Sequence, residues 1–272
     1  MTPEVPPPAG KGKVPVWRTA IDSYRFVFAN LDRFFALGWL PLVTAFAASM
    51  TSGFLTEVDG GESRSLADWV AYVALSAAYW AMYAVFAVRW HRFYLLDERE
   101  SVFSEFLAAR NWRFLGYTLL LTFAPMVPMW VIVLISGFVS ILPSIAASIL
   151  LLVMFRFSLV LPGTAVDRPL GLGEAWHKML GHTWRFIGAF FLVAIPAMFL
   201  TWIVSAILGQ SLSGGITSGE PESMADVSVV TNAAIAIIGF LWTAAGITVL
   251  SKFYRHIVGM EAPEGGAAEN SA

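Results

Sequence analysis

Cysteine is absent from this sequence, and charged residues are scarce. Without cysteine among its 272 residues, the chain can form neither disulfide bonds nor thiolate metal sites. Only 13% of the residues are charged and 57% are hydrophobic, whereas a soluble domain carries about 25% charged residues. A chain so poor in charge cannot maintain a water-facing surface, so we expect lipid to surround most of it.

The sequence also lacks the motifs of common enzymes and ion carriers. It contains no H-E-x-x-H, G-x-S-x-G or Walker A sequence. No Asp, Glu, Lys or His falls at the centre of the apolar stretches, where ion-coupled carriers and proton relays need such groups. The histidines follow no recognised metal-ligand spacing; they are His91, His177, His182 and His256. We therefore expect no catalytic residue, no cofactor and no metal ion.

Six apolar stretches are long enough to cross a bilayer, which requires roughly 20 residues in a helix. They run over residues 34–55, 69–90, 114–136, 139–158, 186–208 and 229–251. We interpret the third and fourth as a hairpin, because the apolar run over 114–153 is far too long for one span. The sequence therefore predicts an all-α, polytopic bundle of six transmembrane helices.

The two ends of the chain differ from its apolar middle. Residues 1–14 are rich in proline, and residues 259–272 are rich in glycine, alanine and glutamate. Neither segment can bury enough apolar surface to offset the entropy of ordering, so both are predicted to be disordered tails. The first of them also lacks the apolar core of a signal peptide. Residues 15–258 are expected to form one membrane domain.

Basic residues fall on one side of the predicted bundle. Of the 17 Lys and Arg residues, all except Arg64 lie near the termini or in the second–third and fourth–fifth connections. The loops on the other side are acidic instead. Because Lys and Arg are retained on the cytoplasmic side of a membrane, we expect a multi-pass protein with both termini in the cytoplasm.

One pattern occurs three times, over about 16–98, 101–168 and 172–258. Each unit has a short amphipathic stretch, then an Arg-Phe doublet, then a hairpin of two spans. The doublets are Arg33-Phe34, Arg113-Phe114 and Arg185-Phe186. Since each unit contains two spans, all three have the same orientation in the membrane. We expect three parallel two-helix repeats, each preceded by a cytoplasmic amphipathic helix.

The amphipathic stretches each carry apolar residues at helical spacing. The first stretch has Trp17, Ile21, Tyr24, Phe28 and Leu31; the second has Phe103, Phe106 and Leu107; the third has Leu172, Ala175, Trp176, Met179 and Leu180. Such helices lie among lipid headgroups with their cations toward anionic lipid. Packing beneath the bundle as cytoplasmic caps is the alternative, and the two roles are compatible.

Basic and aromatic residues near the ends of the spans are candidates for anchoring the chain at the cytoplasmic face. They are Arg33, Arg89, Trp90, His91, Arg92, Trp112, Arg113, Arg156, Trp184 and Arg185. The partners that they predict are anionic lipids of the cytoplasmic leaflet, and also a protein partner or a second copy of the chain. Nucleic acid is not expected, because the charges are spread among anchors and do not form one patch.

Three prolines lie inside the predicted spans. Pro125 and Pro196 occupy matching depths in the second and third repeats, and Pro41 lies about one turn earlier in the first. Each removes a backbone hydrogen bond and is predicted to kink its helix. Kinks of this kind are tolerated in ordinary membrane helices, and they can also line a cavity or a gate.

Three segments of the chain resemble a known class of proteins. The segments are 87–96, 156–162, and Ala175-Trp176 followed by Trp184-Arg185-Phe186. They resemble uncharacterised six-span inner-membrane proteins of proteobacteria. More loosely, they are similar to YciC-type proteins and to the membrane domain attached to some glycerophosphodiester phosphodiesterases. The resemblance implies a helical bundle in a bacterial inner membrane. It does not imply phosphodiesterase activity, which belongs to a separate soluble barrel.

The sequence favours a non-catalytic membrane protein that organises lipid or a partner protein through its cytoplasmic face. One alternative is a transporter or channel for a neutral or lipidic solute, which would need no buried charge. A second alternative is a lipid-modifying enzyme that uses cytoplasmic groups such as His91, His177 and Asp167.

Overall fold

The structure of the chain is a computed structural model that describes residues 14–56, 65–99, 101, 106–136, 141–215 and 221–260. Within these ranges all regular secondary structure is helical. The helices are α1 (Val16–Ala29), α2 (Leu31–Thr56), α3 (Leu66–Leu96), α4 (Ala109–Phe123), α5 (Met126–Ser136), α6 (Ile141–Phe157), α7 (Val160–Ala165), α8 (Leu172–Met179), α9 (Thr183–Gly215) and α10 (Pro221–Val258).

Six helical segments are long and apolar enough to cross a membrane. They cover Leu31–Ala48, Leu66–Leu96, Ala109–Ile135, Ile141–Ala165, Thr183–Ile207 and Val229–Val258. The third segment runs through α4 and α5, and the fourth runs through α6 and α7. The prediction of six spans is confirmed, and the chain is an all-α protein with the helices of a multi-pass membrane protein. The connection between the third and fourth spans, at 137–140, lies outside the described residues.

The predicted tails lie almost wholly outside the described residues, but the folded domain extends past its predicted bounds. Val14 is buried, and its carbonyl accepts a hydrogen bond from Nη1 of Arg185 at 3.0 Å. At the other end, the amides of Gly259 and Met260 donate to the carbonyl of Arg255 at 3.0 and 3.1 Å. Residue 14 and residues 259–260 therefore belong to the bundle.

Local sequence explains several helix ends. α3 begins at a capping box, in which Asp68 and Ser65 satisfy each other's free backbone amides. The helices α3, α7 and α10 are followed by residues in the left-handed backbone region, namely Asp97 (φ 54°), Asp167 (φ 55°) and Gly259 (φ 75°). Aspartate tolerates this region better than most residues, and glycine adopts it freely, so these positions stop each helix.

The helix α10 lies at the centre of the bundle. It packs against α9 over the longest stretch and also contacts α1, α2, α3 and α7. Small residues on α10, such as Ala244 and Ala245, are buried and allow close approach of the neighbouring helices. We name the end of the bundle where α1, α7 and α8 pack the basal end. The buried residues concentrate there, whereas large apolar side chains toward the opposite end are exposed, as lipid contact requires.

Two hydrogen bonds between buried side chains join α3 to α10 near the basal end. Trp90 Nε1 donates to Thr248 Oγ1 at 2.9 Å, and His91 Nδ1 lies 2.7 Å from Ser251 Oγ. The indole of Trp90 also packs against Phe34, whose side chain is wholly buried. The seam therefore combines close packing with paired polar groups, so the indole of Trp90 and the imidazole of His91 each keep a hydrogen-bond partner where they are buried.

The three predicted amphipathic stretches differ in the structure. α1 packs on α9 and α10 through Thr19, Ala20, Ser23 and Val27, which lie beside the predicted stripe of large apolar residues. In the second stretch, Phe106 and Leu107 form a turn, and Phe103 lies outside the described residues. The third corresponds to the short helix α8, which buries Ala175 and Met179.

A tyrosine of α1 reaches the proline turn of α9. Pro196 lies inside α9 and Pro41 inside α2, whereas Pro125 lies in the break between α4 and α5. The proline at position 196 cannot donate to the carbonyl four residues earlier, which loosens that turn of the helix. In the same turn, the hydroxyl of Tyr24 donates to the carbonyl of Val193 at 2.6 Å. Burial raises the pKa of Tyr24, so the hydroxyl keeps the proton that it donates.

We expect Tyr24→Phe to lower the free energy of unfolding by about 1 kcal/mol, because it removes one hydrogen bond between partly buried groups. The measurement is equilibrium unfolding in mixed micelles. Tyr117→Phe is the matched control, because the hydroxyl of Tyr117 makes no hydrogen bond among the described residues. Equal stability of Tyr24→Phe and wild type would show that the contact does not hold α1 on α9.

Candidate lipid-contact surface at the basal end

Three Trp-Arg dipeptides project from the basal end. They are Trp17-Arg18 in α1, Trp112-Arg113 in α4 and Trp184-Arg185 in α9. The tryptophans are 65%, 53% and 73% exposed, respectively. We name these six residues the Trp-Arg collar. The headgroup layer of a membrane offers an apolar side, which suits the exposed indole, and a polar side, which suits the neighbouring guanidinium.

The arginines of the collar have only weak contacts with the rest of the protein. Arg18 is 82% exposed in its side chain and lies 3.9 Å from Asp22. Arg113 donates from Nε to the carbonyl of Ala109 at 3.4 Å. Arg185 is held more firmly, by its hydrogen bond to Val14. An exposed ion pair contributes little free energy, so Arg18 can turn toward a lipid phosphate at low cost. The same holds for Arg113, whose hydrogen bond is long and exposed.

The pair Trp17-Arg18 was missed when anchors were chosen from the sequence. Trp17 was assigned to the apolar stripe of α1, which hid its similarity to the other two dipeptides. The signal was present, because the dipeptide Trp-Arg occurs three times in the sequence, at 17–18, 112–113 and 184–185.

Two predicted anchors pack on aromatic rings. The guanidinium carbon of Arg156 lies 4.5 Å from the ring centre of Trp176, and that of Arg33 lies 5.6 Å from the ring centre of Phe93. A cation above an aromatic face is attracted by the ring quadrupole. These contacts connect α6 with α8 and α2 with α3. Arg33 and Arg156 therefore have defined positions at the basal end.

Three predicted anchors do not reach the surface. Arg89, Trp90 and His91 are all buried, between α3 and its neighbours. Their place at the end of a hydrophobic stretch indicated a membrane boundary, but α2, α4, α7 and α10 pack against α3, and Phe26 of α1 lies against the ring of Trp90. This corrects the prediction that they meet lipid. Their observed contacts hold helices together.

Arg92, another predicted anchor, is the centre of an ion-pair network. Its Nε and Nη2 donate to the two carboxylate oxygens of Glu98, each at 2.6 Å. Its Nη1 donates to Asp167 at 3.0 Å, and Arg110 donates to the same carboxylate at 2.5 Å. The two-pronged geometry is the strongest that arginine makes with a carboxylate. The network ties the end of α3 to the start of α4 and to the turn after α7.

The described histidines and acidic residues mostly have separate partners. Within the described ranges no group of three or more His, Asp and Glu side chains could hold a metal ion. His91 is hydrogen-bonded to Ser251, and Asp167 forms ion pairs with Arg92 and Arg110. His182 faces His256, with ring centres 6.1 Å apart. Burial, and then the charges of His256 and Arg185, lower the pKa of His182.

Comparison of the chain with family models, with curated proteins and with solved structures gives no match in any of the three. The site is therefore interpreted from its own geometry.

We expect Glu98→Gln to lower the free energy of unfolding by about 1–3 kcal/mol, because it removes charge from a two-pronged pair with the poorly exposed Arg92. Glu174→Gln is the control, since Glu174 makes an exposed pair with Lys178 at 3.6 Å. That change should cost less than about 0.5 kcal/mol. Unfolding of both variants in the same micelles measures the difference. Equal losses of unfolding free energy in the two variants would show that the pair between Glu98 and Arg92 stabilises the fold no more than an exposed ion pair does.

Proposed function

We propose that the chain is a non-catalytic, multi-pass protein of a bacterial inner membrane that organises anionic lipid around its basal end. The observation that carries this proposal is the Trp-Arg collar, which exposes three indoles at one end of the bundle, together with the side chains of Arg18 and Arg113. Indoles prefer the headgroup layer, and each basic residue near an anionic surface contributes about 1 kcal/mol of attraction. A protein partner or a second copy of the chain is the alternative occupant.

In this proposal the basal end faces the cytoplasm. The basic residues of the described chain collect at that end, in α1, α8 and the adjoining ends of the long helices. The positive-inside rule then orients the bundle, with α1 and α8 at the cytoplasmic headgroups. Exposed Trp17 and Phe28 on α1 support a role as an amphipathic surface helix.

The threefold repeat is also part of the proposal. Two observations support it. The phenylalanines of the three doublets that precede the predicted hairpins, at positions 34, 114 and 186, are almost fully buried. In addition, the last helix of each unit (α3, α7 and α10) is followed within two residues by one with positive φ. A repeated unit would place one Trp or Arg anchor beneath each hairpin, so that lipid contacts surround the basal end.

We expect charge reversal in the collar to remove the enrichment of anionic lipid around the protein. The variant is Arg18→Glu with Arg113→Glu; Arg185 is left intact because it also holds Val14. Two reversals should reduce the enrichment at least several-fold, at about 1 kcal/mol for each lost cation. The measurement is the ratio of phosphatidylglycerol to neutral lipid in polymer-extracted nanodiscs, relative to the bulk membrane.

Arg64→Glu is the matched control, because it makes the same change of charge on the side that the sequence assigns to the other face. It should leave the lipid ratio unchanged. If Arg18→Glu with Arg113→Glu leaves the ratio at the wild-type value, the collar does not organise anionic lipid.

A further inference from the structure

Three basic residues lie close together at the basal end, where α1 meets α10. Nζ of Lys252 donates to Oδ2 of Asp22 at 3.0 Å, and Nε of Arg18 lies 3.9 Å from the same oxygen. The charge of Arg255, three residues after Lys252 on α10, also acts on Lys252 and opposes the attraction of Asp22. We name Arg18, Lys252 and Arg255 the cation cluster.

The cation cluster carries more positive charge than its observed partners neutralise. Among the described residues, Asp22 is the only carboxylate that pairs with any of its three members. Arg255 instead donates to the carbonyl of Tyr94, and its guanidinium carbon lies 4.5 Å from the ring centre of that residue. A carbonyl and a ring cancel no formal charge, so three cations face one carboxylate. Such an excess of positive charge attracts an acidic partner.

The most accessible member of the cluster is Arg18. Its side chain is 82% exposed, whereas that of Lys252 is 18% exposed. The contact of Arg18 with Asp22 is long for an ion pair and contributes little free energy. Arg18 can therefore turn toward a second carboxylate while Lys252 stays bonded to Asp22.

The chain leaves α10 directly beside the cluster. Gly259 adopts the left-handed backbone region, and the amides of Gly259 and Met260 both donate to the carbonyl of Arg255. A left-handed cap of this kind turns the chain back at the end of a helix. Met260 accordingly packs against the buried core of the bundle. Residue 261 thus follows a residue that is bonded to the backbone of the cluster, and the chain does not continue along the axis of α10.

The segment that begins at this point is acidic. Residues 261–272 lie outside the described residues; they contain Glu261, Glu264 and Glu269 and no Lys, Arg or His. Four extended residues reach about 13 Å. That length matches the rise of α10 between Lys252 and Met260, which is about 12 Å at 1.5 Å per residue. The glutamates are therefore within reach of the cluster.

We propose that the acidic segment 261–272 docks on the cation cluster, with its glutamates around Arg18, Lys252 and Arg255. The segment has the opposite charge and is tethered beside the cluster, so its effective concentration there exceeds that of a separate partner. Docking goes beyond the proposed function and does not require it. In combination with that function, the segment covers Arg18 of the Trp-Arg collar and competes with anionic lipid for it.

The test measures the distance between two spin labels in the full chain, in nanodiscs that hold one copy of the protein in neutral lipid. Because the sequence has no cysteine, the labels go on Ala29→Cys, exposed on α1, and on Ala267→Cys in the segment. The chain with its natural charges should give a narrow population of short distances. Glu261→Gln, Glu264→Gln and Glu269→Gln together should reduce that population at least threefold, because they remove the negative charge and keep the side-chain size.

A variant of the cluster locates the docking site. Arg18→Gln should also reduce the short-distance population, since it removes the most accessible cation. Arg113→Gln is the matched control, because Arg113 is likewise exposed at the basal end but lies on α4. It should leave the population unchanged.

Two results would overturn the proposal. A broad distribution in the chain with its natural charges, or one that replacement of the glutamates leaves unchanged, would show that the segment does not dock. If Arg18→Gln keeps the short-distance population, or if Arg113→Gln loses as much of it, the segment does not bind at the cation cluster.

The ratio of phosphatidylglycerol to neutral lipid separates this inference from the collar. Replacement of the three glutamates should raise that ratio in polymer-extracted nanodiscs, because Arg18 becomes free for lipid. An unchanged ratio alongside observed docking would overturn the competition with lipid and leave the docking in place. If docking is observed while the collar variants keep the wild-type lipid ratio, the collar is wrong and the docking stands.

Discussion

Helices in hydrocarbon gain little hydrophobic drive to associate, so the bundle depends on the seam where α3 meets α10. There, small residues of α10 allow close approach, and the indole of Trp90 and the imidazole of His91 find hydroxyl partners on the neighbouring helix. An unpaired polar group at that depth would be costly, so the two hydrogen bonds fix the register of the helices as well as joining them. The Arg-Phe doublets pack around this seam through their buried phenylalanines.

The seam lies at one end of the spans, and this has consequences for the rest of the molecule. At the same end, the short helix α7 packs on α3 and α10, α1 packs on α9 and α10, and α8 packs on α6. The arginines outside the core are exposed at the basal end, as Arg18 and Arg113 are, or pack on aromatic rings, as Arg33 and Arg156 do. In the proposed function, lipid contact at the basal end follows from the way in which the bundle is held together, because a core packed at this end of the spans places charged residues along its border.

Much of the fold could be predicted from the sequence, because span length and apolar composition depend on local residues. The six spans follow from runs such as 186–208, and the division of 109–165 into a third and a fourth span follows from a run too long for one helix. Partners distant in sequence could not be predicted. Arg92 and Asp167 are 75 residues apart, and nothing local indicates that they form a pair. The burial of Arg89 and His91 was missed for the same reason, because it depends on helices that cover them from elsewhere in the chain.

The central claim is that the basal end lies on the cytoplasmic side of a membrane. The absence of native cysteine allows single-cysteine labelling without background. Gly259→Cys, at the basal end, and Ser65→Cys, before α3 at the other end, are treated with a membrane-impermeant maleimide in intact cells and in inverted vesicles. The account predicts that position 259 reacts only in inverted vesicles and position 65 only in intact cells. The reverse pattern, or labelling of both positions in intact cells, would contradict it.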